Sequence, residues 1–405
     1  MSFNQYTWDL YKQTTIGIEM IKYFSDAGGY VLFKDYCPYA NFIPEDLYND
    51  WLENIYCYGV SDYDHPSSLE EAKDLYISLI TLGIRVEGQQ WLPANDFKNM
   101  LGIIQPMSYV LSQFAPEYFF PYLFLCRIFE LNKIADFFNI DLPNIPKRTD
   151  YKGRCMYYWE LCEVFYLFRK ENGLSPADLW SFLYDFAPNN LPSEKIDMPK
   201  PSQVWFIGGR LYQEDKSLES KFWQSSPETK KGDILVHYET SPISAITCIE
   251  ISLTDGVIDP LFRYYGCIYI GNRINIPHIT LKELQTDEYF FKHPLVRKNF
   301  QGVNGWSVNS ENYSELLRMI KTKGFDIEVL PKLYAPTLPK DVIIEYEHDV
   351  EQQLLEPLLN SMGWYENKDF IRQLPIQAGR GHRIFPDYAL HYGNKPNEER
   401  AKVLI

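Results

Sequence analysis

Two carboxylates stand where a divalent ion could be held against a phosphodiester. Asp387 follows Pro386 in GHRIFPDYALHYG, at the entry to an apolar run, and Glu351 (or Glu347) lies in the acidic-headed amphipathic stretch EYEHDVEQQLLEPLLNSMGW. A metal that activates water on phosphate needs hard oxygen ligands converging from rigid elements. Asp387 on a strand and Glu351 on a facing helix would supply one side of such a site, as both metal ligands and catalytic groups. Elsewhere, Trp205, Trp223, Tyr238 and Trp306 offer flat aromatic faces, and Ser241 and Asn304 offer polar edges near them. That combination suits a base swung out of a strand, which needs stacking surfaces and a few donors or acceptors. Lys230 and Lys231 before a glycine turn, and Arg297 and Lys298 before NFQG, are phosphate-binding candidates. Each set has a plainer alternative. A lone Pro-Asp is a strand-entry proline with a turn aspartate, KKGD is an ordinary β-turn, and Trp205 and Tyr238 on strands can be core residues.

The elements that must position these groups change character along the chain. Residues 5–25, 68–83 and 154–170 have helical spacing, and Ser175-Pro176-Ala177-Asp178 opens a further helix with an N-cap, a first-position proline and a capping-box aspartate. The aromatic stretch 106–138 is broken by prolines and reads as buried helices, whereas Gly29–Phe33 reads as a small hairpin. Tyr157, Tyr158, Trp159 and Trp180 read as core. A proline-rich linker (189–203) follows. Then VWFIGG, GDILVHYE, SAITCIEI and GCIYIGNRINIP read as strands, with helices expected near 216–223, 280–286 and 310–322. A second linker (330–341) precedes a helix at 345–361 and strands near 371–376, 383–392 and 401–405. The reading is three domains: a mostly α region over 1–195, a mixed α+β small barrel over 202–324, and an α/β domain over 341–405.

Residues 203–322 resemble the EVE domain of the PUA-like group, through VWFIGG, KFWQ, KKGDILVHYETSPISAITCIEI, IPHITLKELQ and NFQGVNGWSVNSENYSELLRMI. The resemblance implies a small barrel whose concave face takes one flipped, usually modified, base. It assigns Trp223, Tyr238, Ser241 and Trp306 to the pocket, with Trp205 and Asn304 as neighbours. The last 60 residues resemble the PD-(D/E)xK nucleases, in particular the N-terminal nuclease domain of type I restriction-enzyme motor subunits. The matching residues are Glu351, Gly363-Trp364 and Pro386-Asp387. In that family a following strand ends in glutamate, spacer and lysine, which would begin near residue 406, so the displayed chain reads as truncated. Together the two resemblances imply a modification-dependent DNA restriction endonuclease of antiviral defence, using Mg²⁺ or Mn²⁺. The alternatives are a non-catalytic reader of modified nucleic acid and a scaffold subunit of a defence complex.

Composition bounds these readings. The 405 residues are 45% hydrophobic and 23% charged, which is an ordinary globular balance. The seven cysteines form no C-x-x-C pair and the seven histidines are scattered, which favours free thiols in a reducing cytoplasm over a disulfide scaffold or zinc cluster. No G-x-x-x-x-G-K-[ST] sequence marks an ATP site, and no apolar run is long enough to span a membrane. DNA is the expected partner, with a homodimer possible. The net charge is -15, yet residues 202–324 carry 14 basic and 14 acidic side chains against 16 and 27 in residues 1–201. Few phosphates can be neutralised by so balanced a segment. The slope of log K against log [salt] for DNA binding is therefore expected to be shallow, about -2 to -4; a slope near about -8 in an anisotropy titration would reveal an extended basic surface instead.

Overall fold

The computed structural model describes residues 3–38, 40, 43–86, 89–192, 198–210, 220–334, 344–379, 382–391 and 401–404. The chain forms two compact units: Met1–Lys195 with Val257–Tyr265, and Ile196–Gly256 with Gly266–Ile405. No helix among the described residues is long and apolar enough to cross a membrane.

The first unit is helical, with one short hairpin of β1 (Ile84–Val86) and β2 (Gln89–Leu92). Its longest helix, Tyr151–Glu171, is capped by Asp150, whose carboxylate accepts from Gly153 N at 2.9 Å. Ser175 and Asp178 form the capping box that their spacing predicts. Tyr157, Tyr158, Trp159 and Trp180 are all buried. The 5–25 periodicity resolves into two helices, Gln5–Gln13 and Thr15–Asp26, because Thr14 leaves helical geometry and caps the second. Gly29–Tyr36 is a helix rather than a hairpin. Tertiary packing overrides the strand-like composition there: a Cβ on Gly29 would lie 2.6 Å from Leu52 and Tyr109 side-chain atoms, so the glycine lets the helix start pack closely. The aromatic stretch is two helices, Ile104–Phe114 and Ile128–Phe138, flanking an extended run through Phe119–Phe124. Buried backbone needs partners there, and Ser108 Oγ and Tyr184 OH accept from Tyr122 N and Leu123 N at 2.8 and 3.2 Å.

Residues 257–265, including β7 (Val257–Ile258), complete this unit. Asp259 is buried and accepts from the backbone of Cys126 at 2.9 Å and of Leu261 and Phe262 at 2.9 and 3.2 Å. The buried Arg154 donates to the carbonyls of Pro260 and Phe262 at 2.8 and 2.7 Å.

In the second unit six strands run in the order β4 (Ser220–Gln224), β8 (Gly266–Thr280), β6 (Ala245–Ser252), β5 (Ile234–Glu239), β3 (Val204–Gly209) and β9 (Trp306–Val308). Only the β3–β5 pair in this row is parallel, so the sheet is a mixed half-barrel. Residues 220–224 were expected in a helix but pair with β8, where strand alternation places Trp223 against a buried cluster. The helices Leu281–Thr286 and Ser310–Thr322 form where expected, capped by Thr280 and Asn309. Both sheet faces are buried. Val204, Phe206, Ile234 and Val236 join the larger core under these helices, while Trp205, Ile207, Leu235, Ile268 and Ile270 form a smaller core on the other face.

The C-terminal residues carry a helix interrupted by a wide turn (Glu347–Val350, Glu351–Leu355, Glu356–Ser361). It lies with β10 (Phe370–Arg372), β11 (Ile376–Gly379), β12 (His382–Ile384), β13 (Tyr388–His391) and β14 (Ala401–Leu404). Strands β10, β13 and β14 make a small antiparallel sheet over a core of Leu359, Trp364, Phe370, Tyr388 and Leu390. Gly363, at φ +79°, takes the left-handed turn that ends the helix. Most of the 330–341 linker, the NKPNEER turn and part of GGRLYQEDKS lie outside the described residues. A buried ion pair fastens this sheet to the half-barrel: Lys230 meets Asp369, and its ammonium lies 5.2 Å from the Trp364 ring centroid. Lys368 and Asp255 make a second, more exposed pair at 2.6 Å.

Two stability outcomes follow from these buried charges. Burial pushes the Asp259 carboxyl up from 3.8 to about 6, against the lowering effect of its backbone donors. The folded chain then holds that proton more tightly than the unfolded one. Its contribution is fully present below about pH 4 and is lost as the pH rises through 6. Asp259→Asn should flatten this part of the stability–pH curve and cost about 1–3 kcal/mol in denaturant unfolding at neutral pH, because an amide cannot accept from all three N–H groups. Asp369→Asn should cost about 3–5 kcal/mol by stranding a buried ammonium, whereas Lys230→Met with Asp369→Leu should cost far less than the two single changes summed. Additive losses in that cycle would show that the pair is not coupled.

Candidate functional site

Strand alternation builds the site on the smaller-core face of the half-barrel. Trp205, Ile207 and Gly209 come from β3, Leu235 and His237 from β5, and Cys248 and Glu250 from β6. The β5–β6 register sets His237 opposite Cys248 and Leu235 opposite Glu250, so all four share one face. Trp223 of β4 lies beside them, its ring edge-on to the His237 imidazole with centroids 4.7 Å apart. Its position is tightly determined. A Cβ on Gly209 would sit 2.5 Å from the indole, so only glycine admits the ring there. The indole Nε1 donates to Asn304 Oδ1 at 3.3 Å, and the same oxygen accepts from Gly208 N at 2.8 Å.

His237, Cys248 and Glu250 are buried. Glu250 Oε2 lies 3.0 Å from His237 Nδ1, and Oε1 accepts from Arg273 Nε at 2.8 Å. Burial opposes ionisation of Glu250, but the His237 hydrogen bond and charge together with Arg273 outweigh it and hold the carboxyl below its usual range. An ionised carboxylate only accepts, so Nδ1 carries the proton of this bond. Nε2 of the ring is buried and makes no hydrogen bond among the described residues. Burial, reinforced by the charge of Glu250, pushes the Cys248 thiol up to about 12. One ligand atom each from His237, Cys248 and Glu250 lies within 4.8 Å of the others, and the trio is capable of coordinating a metal ion.

The residues singled out from sequence are distributed unevenly around this site. Trp223 and Asn304 are joined by a hydrogen bond. Trp205 is on the same face but fully buried, with Nε1 donating to Asp233 at 2.9 Å. Tyr238 and Trp306 belong to the opposite face: Tyr238 stacks on Phe300 at 4.0 Å, and Trp306, paired with Phe206, packs against the larger core. Ser241 is exposed, at the cis Ser241–Pro242 bond. Lys230 is withdrawn from solvent by Asp369, so the ammonium expected to meet phosphate is engaged inside the protein. Lys231 is half-buried, whereas Arg297 and Lys298 are exposed.

In the C-terminal sheet, Glu351 and Glu356 gather around Tyr388 OH at 3.4 and 3.2 Å, and Arg372 pairs with Glu356 and, at 3.1 Å, with Glu366. Glu356, half-buried on its helix, is thus an ion-pair partner. Asp387 instead accepts from Gln373 Nε2 at 2.9 Å. Glu351 and Asp387 therefore serve different neighbours.

The signal for the buried trio was present in the sequence but easily passed over. His237 interrupts an apolar strand in ILVHYE, and Cys248 and Glu250 sit two apart in TCIEI, on one face of the next strand. Scattered histidines argued against a metal cluster, yet this grouping needs only one. Arg273, with no motif around it in sequence, is the ion partner of Glu250.

No family model and no curated protein matches the chain. Among solved structures it is similar to the NMR structure of Rpa0253 from Rhodopseudomonas palustris. That match has 13% identity over 30% of this chain and 94% of that one, with a TM-score of 0.26. It is also similar to a hypothetical protein from Leishmania major, at 12% identity over 31% and 98% of the two chains, with a TM-score of 0.25.

Proposed function

We propose that the protein reads a base turned out of a DNA strand on the half-barrel face that carries Trp223, as the recognition part of a modification-dependent restriction endonuclease. The observation that carries this reading is the half-buried Trp223 indole, pinned by Gly209 and Asn304 beside a buried polar relay of His237, Glu250 and Arg273. A stacked base gains about 1–3 kcal/mol from such a ring, and a methyl group on the base adds contact with an aromatic wall. Asn304, half-buried against the ring, places a polar group nearby for a base edge. The EVE resemblance of residues 203–322 includes Trp223 among the pocket residues and Asn304 as a neighbour, whereas Tyr238 and Trp306, which it also includes, lie on the other face. Arg297 and Lys298 remain as exposed cations for the phosphate backbone.

In this reading the C-terminal sheet contributes cleavage, through Asp387 and Glu351 of the PD-(D/E)xK resemblance. Their present partners do not fit a Mg²⁺ or Mn²⁺ site: Glu351 sits with Tyr388 and Arg372, and Asp387 with Gln373. No hydrolytic step is therefore routed through a metal there. A non-catalytic reader of modified nucleic acid is the second reading, and this separation of the two carboxylates favours it.

Matched modified and unmodified duplexes in a fluorescence-anisotropy titration test the recognition step. Trp223→Ala is expected to remove the preference for modified DNA, about ten- to a hundredfold in affinity, while the fold survives. Unchanged discrimination would place recognition elsewhere. Plasmid digestion separates the two readings: Asp387→Ala should stop metal-dependent cutting without weakening binding if the chain cleaves, and wild-type protein that binds but never cuts supports the reader alone.

A further inference from the structure

His237, Cys248 and Glu250 are buried, come from two paired strands, and bring a nitrogen, a sulfur and an oxygen within 4.8 Å of one another. The nitrogen that faces Glu250 is His237 Nδ1, 3.0 Å from Oε2, so these two donors already stand close to the separation that a shared metal needs.

We propose that His237, Cys248 and Glu250 bind one Zn²⁺ ion within the half-barrel, leaving its fourth position to water or another small ligand. Zinc accepts imidazole, thiolate and carboxylate together at about 2.0–2.3 Å. The donors of a tetrahedral zinc site lie about 3.4–3.7 Å apart on these bond lengths, so a contraction of about 1.4 Å at most closes the present cluster, whose donors lie within 4.8 Å of one another. The thiolate argues against Mg²⁺ and Ca²⁺, which prefer all-oxygen sets. Binding displaces the Cys248 thiol proton to solvent and requires Nδ1 of His237 to give up its proton, the ring keeping one on Nε2, so the site holds one thiolate, one carboxylate and an imidazole bound through Nδ1. Arg273, bonded to Glu250 Oε1, remains outside the coordination sphere and orients the carboxylate, leaving Oε2 for the metal. Strand register makes the arrangement rigid, because β5 and β6 are hydrogen-bonded neighbours and cannot separate the ligands without breaking the sheet.

Metal analysis of the full-length chain, purified without chelators, is expected to find about one zinc per chain. After chelator treatment, Co²⁺ should restore occupancy and produce both tetrahedral d–d bands and a thiolate-to-cobalt charge-transfer band. Cys248→Ser should abolish the charge-transfer band, and Glu250→Gln should weaken Co²⁺ binding at least tenfold, with folding checked by circular dichroism. Zinc-free protein that gives no cobalt spectrum would overturn the proposal, as would metal uptake unchanged by Cys248→Ser. The wild-type cobalt spectrum decides the matter even if both variants unfold. These readouts detect metal alone, so they stand or fall separately from the nucleic-acid reading.

Discussion

The smaller-core face of the half-barrel is governed by one requirement: the Glu250 carboxylate is buried and must have every charge and lone pair answered. His237 and Arg273 answer it from opposite sides. Removing either would leave an uncompensated buried anion, a far larger penalty than an exposed pair could incur. The requirement fixes the rest. It turns Nδ1 of the imidazole to the carboxylate, leaves Nε2 without a bond among the described residues, and sets Cys248 alongside by strand register. Trp223 then closes against His237, and Gly209 is the glycine that makes room for its ring.

Strand β3 divides the aromatic residues between two environments. Its odd-numbered residues, Trp205 and Ile207, serve the smaller core, and its even-numbered ones, Val204 and Phe206, serve the larger. Because β9 pairs with β3 in register, Trp306 inherits the face of Phe206. Two tryptophans that look equivalent along the sequence are therefore separated by the thickness of the sheet. Trp223 adjoins the polar relay, while Trp306 adjoins His293 and the helical side. The chemistry available to a bound base differs accordingly.

Local signals in the sequence were legible where the determinant is a cap, a turn or a repeat of two. Ser175 and Asp178, Thr280 with its helix, the strands of VWFIGG and GDILVHYE, and the helix end at Gly363 all lie where their residues predict. What failed was tertiary. Gly29 starts a helix because Leu52 and Tyr109 approach it, and no neighbour in sequence announces that contact. Residues 220–224 become a strand because β8 offers an edge. Lys230 looked like a phosphate ligand in KKGD, but Asp369, 139 residues on, captures it. In the site itself, Trp223 and Asn304 were recognisable, whereas His237, Cys248, Glu250 and Arg273 were hidden. Their meaning lies in cross-strand register, which a single sequence does not display.

The claim on which the account turns is that a nucleic-acid base meets the Trp223 face and not the Trp306 face. Indole ¹⁵N–¹H resonances, assigned by single tryptophan substitutions, report on the two faces separately. During titration with a short duplex carrying a methylated base at a mismatched position, which is easily turned out of the stack, the Trp223 indole resonance should shift and saturate while that of Trp306 stays in place. Movement of Trp306 with Trp223 unchanged would contradict the account.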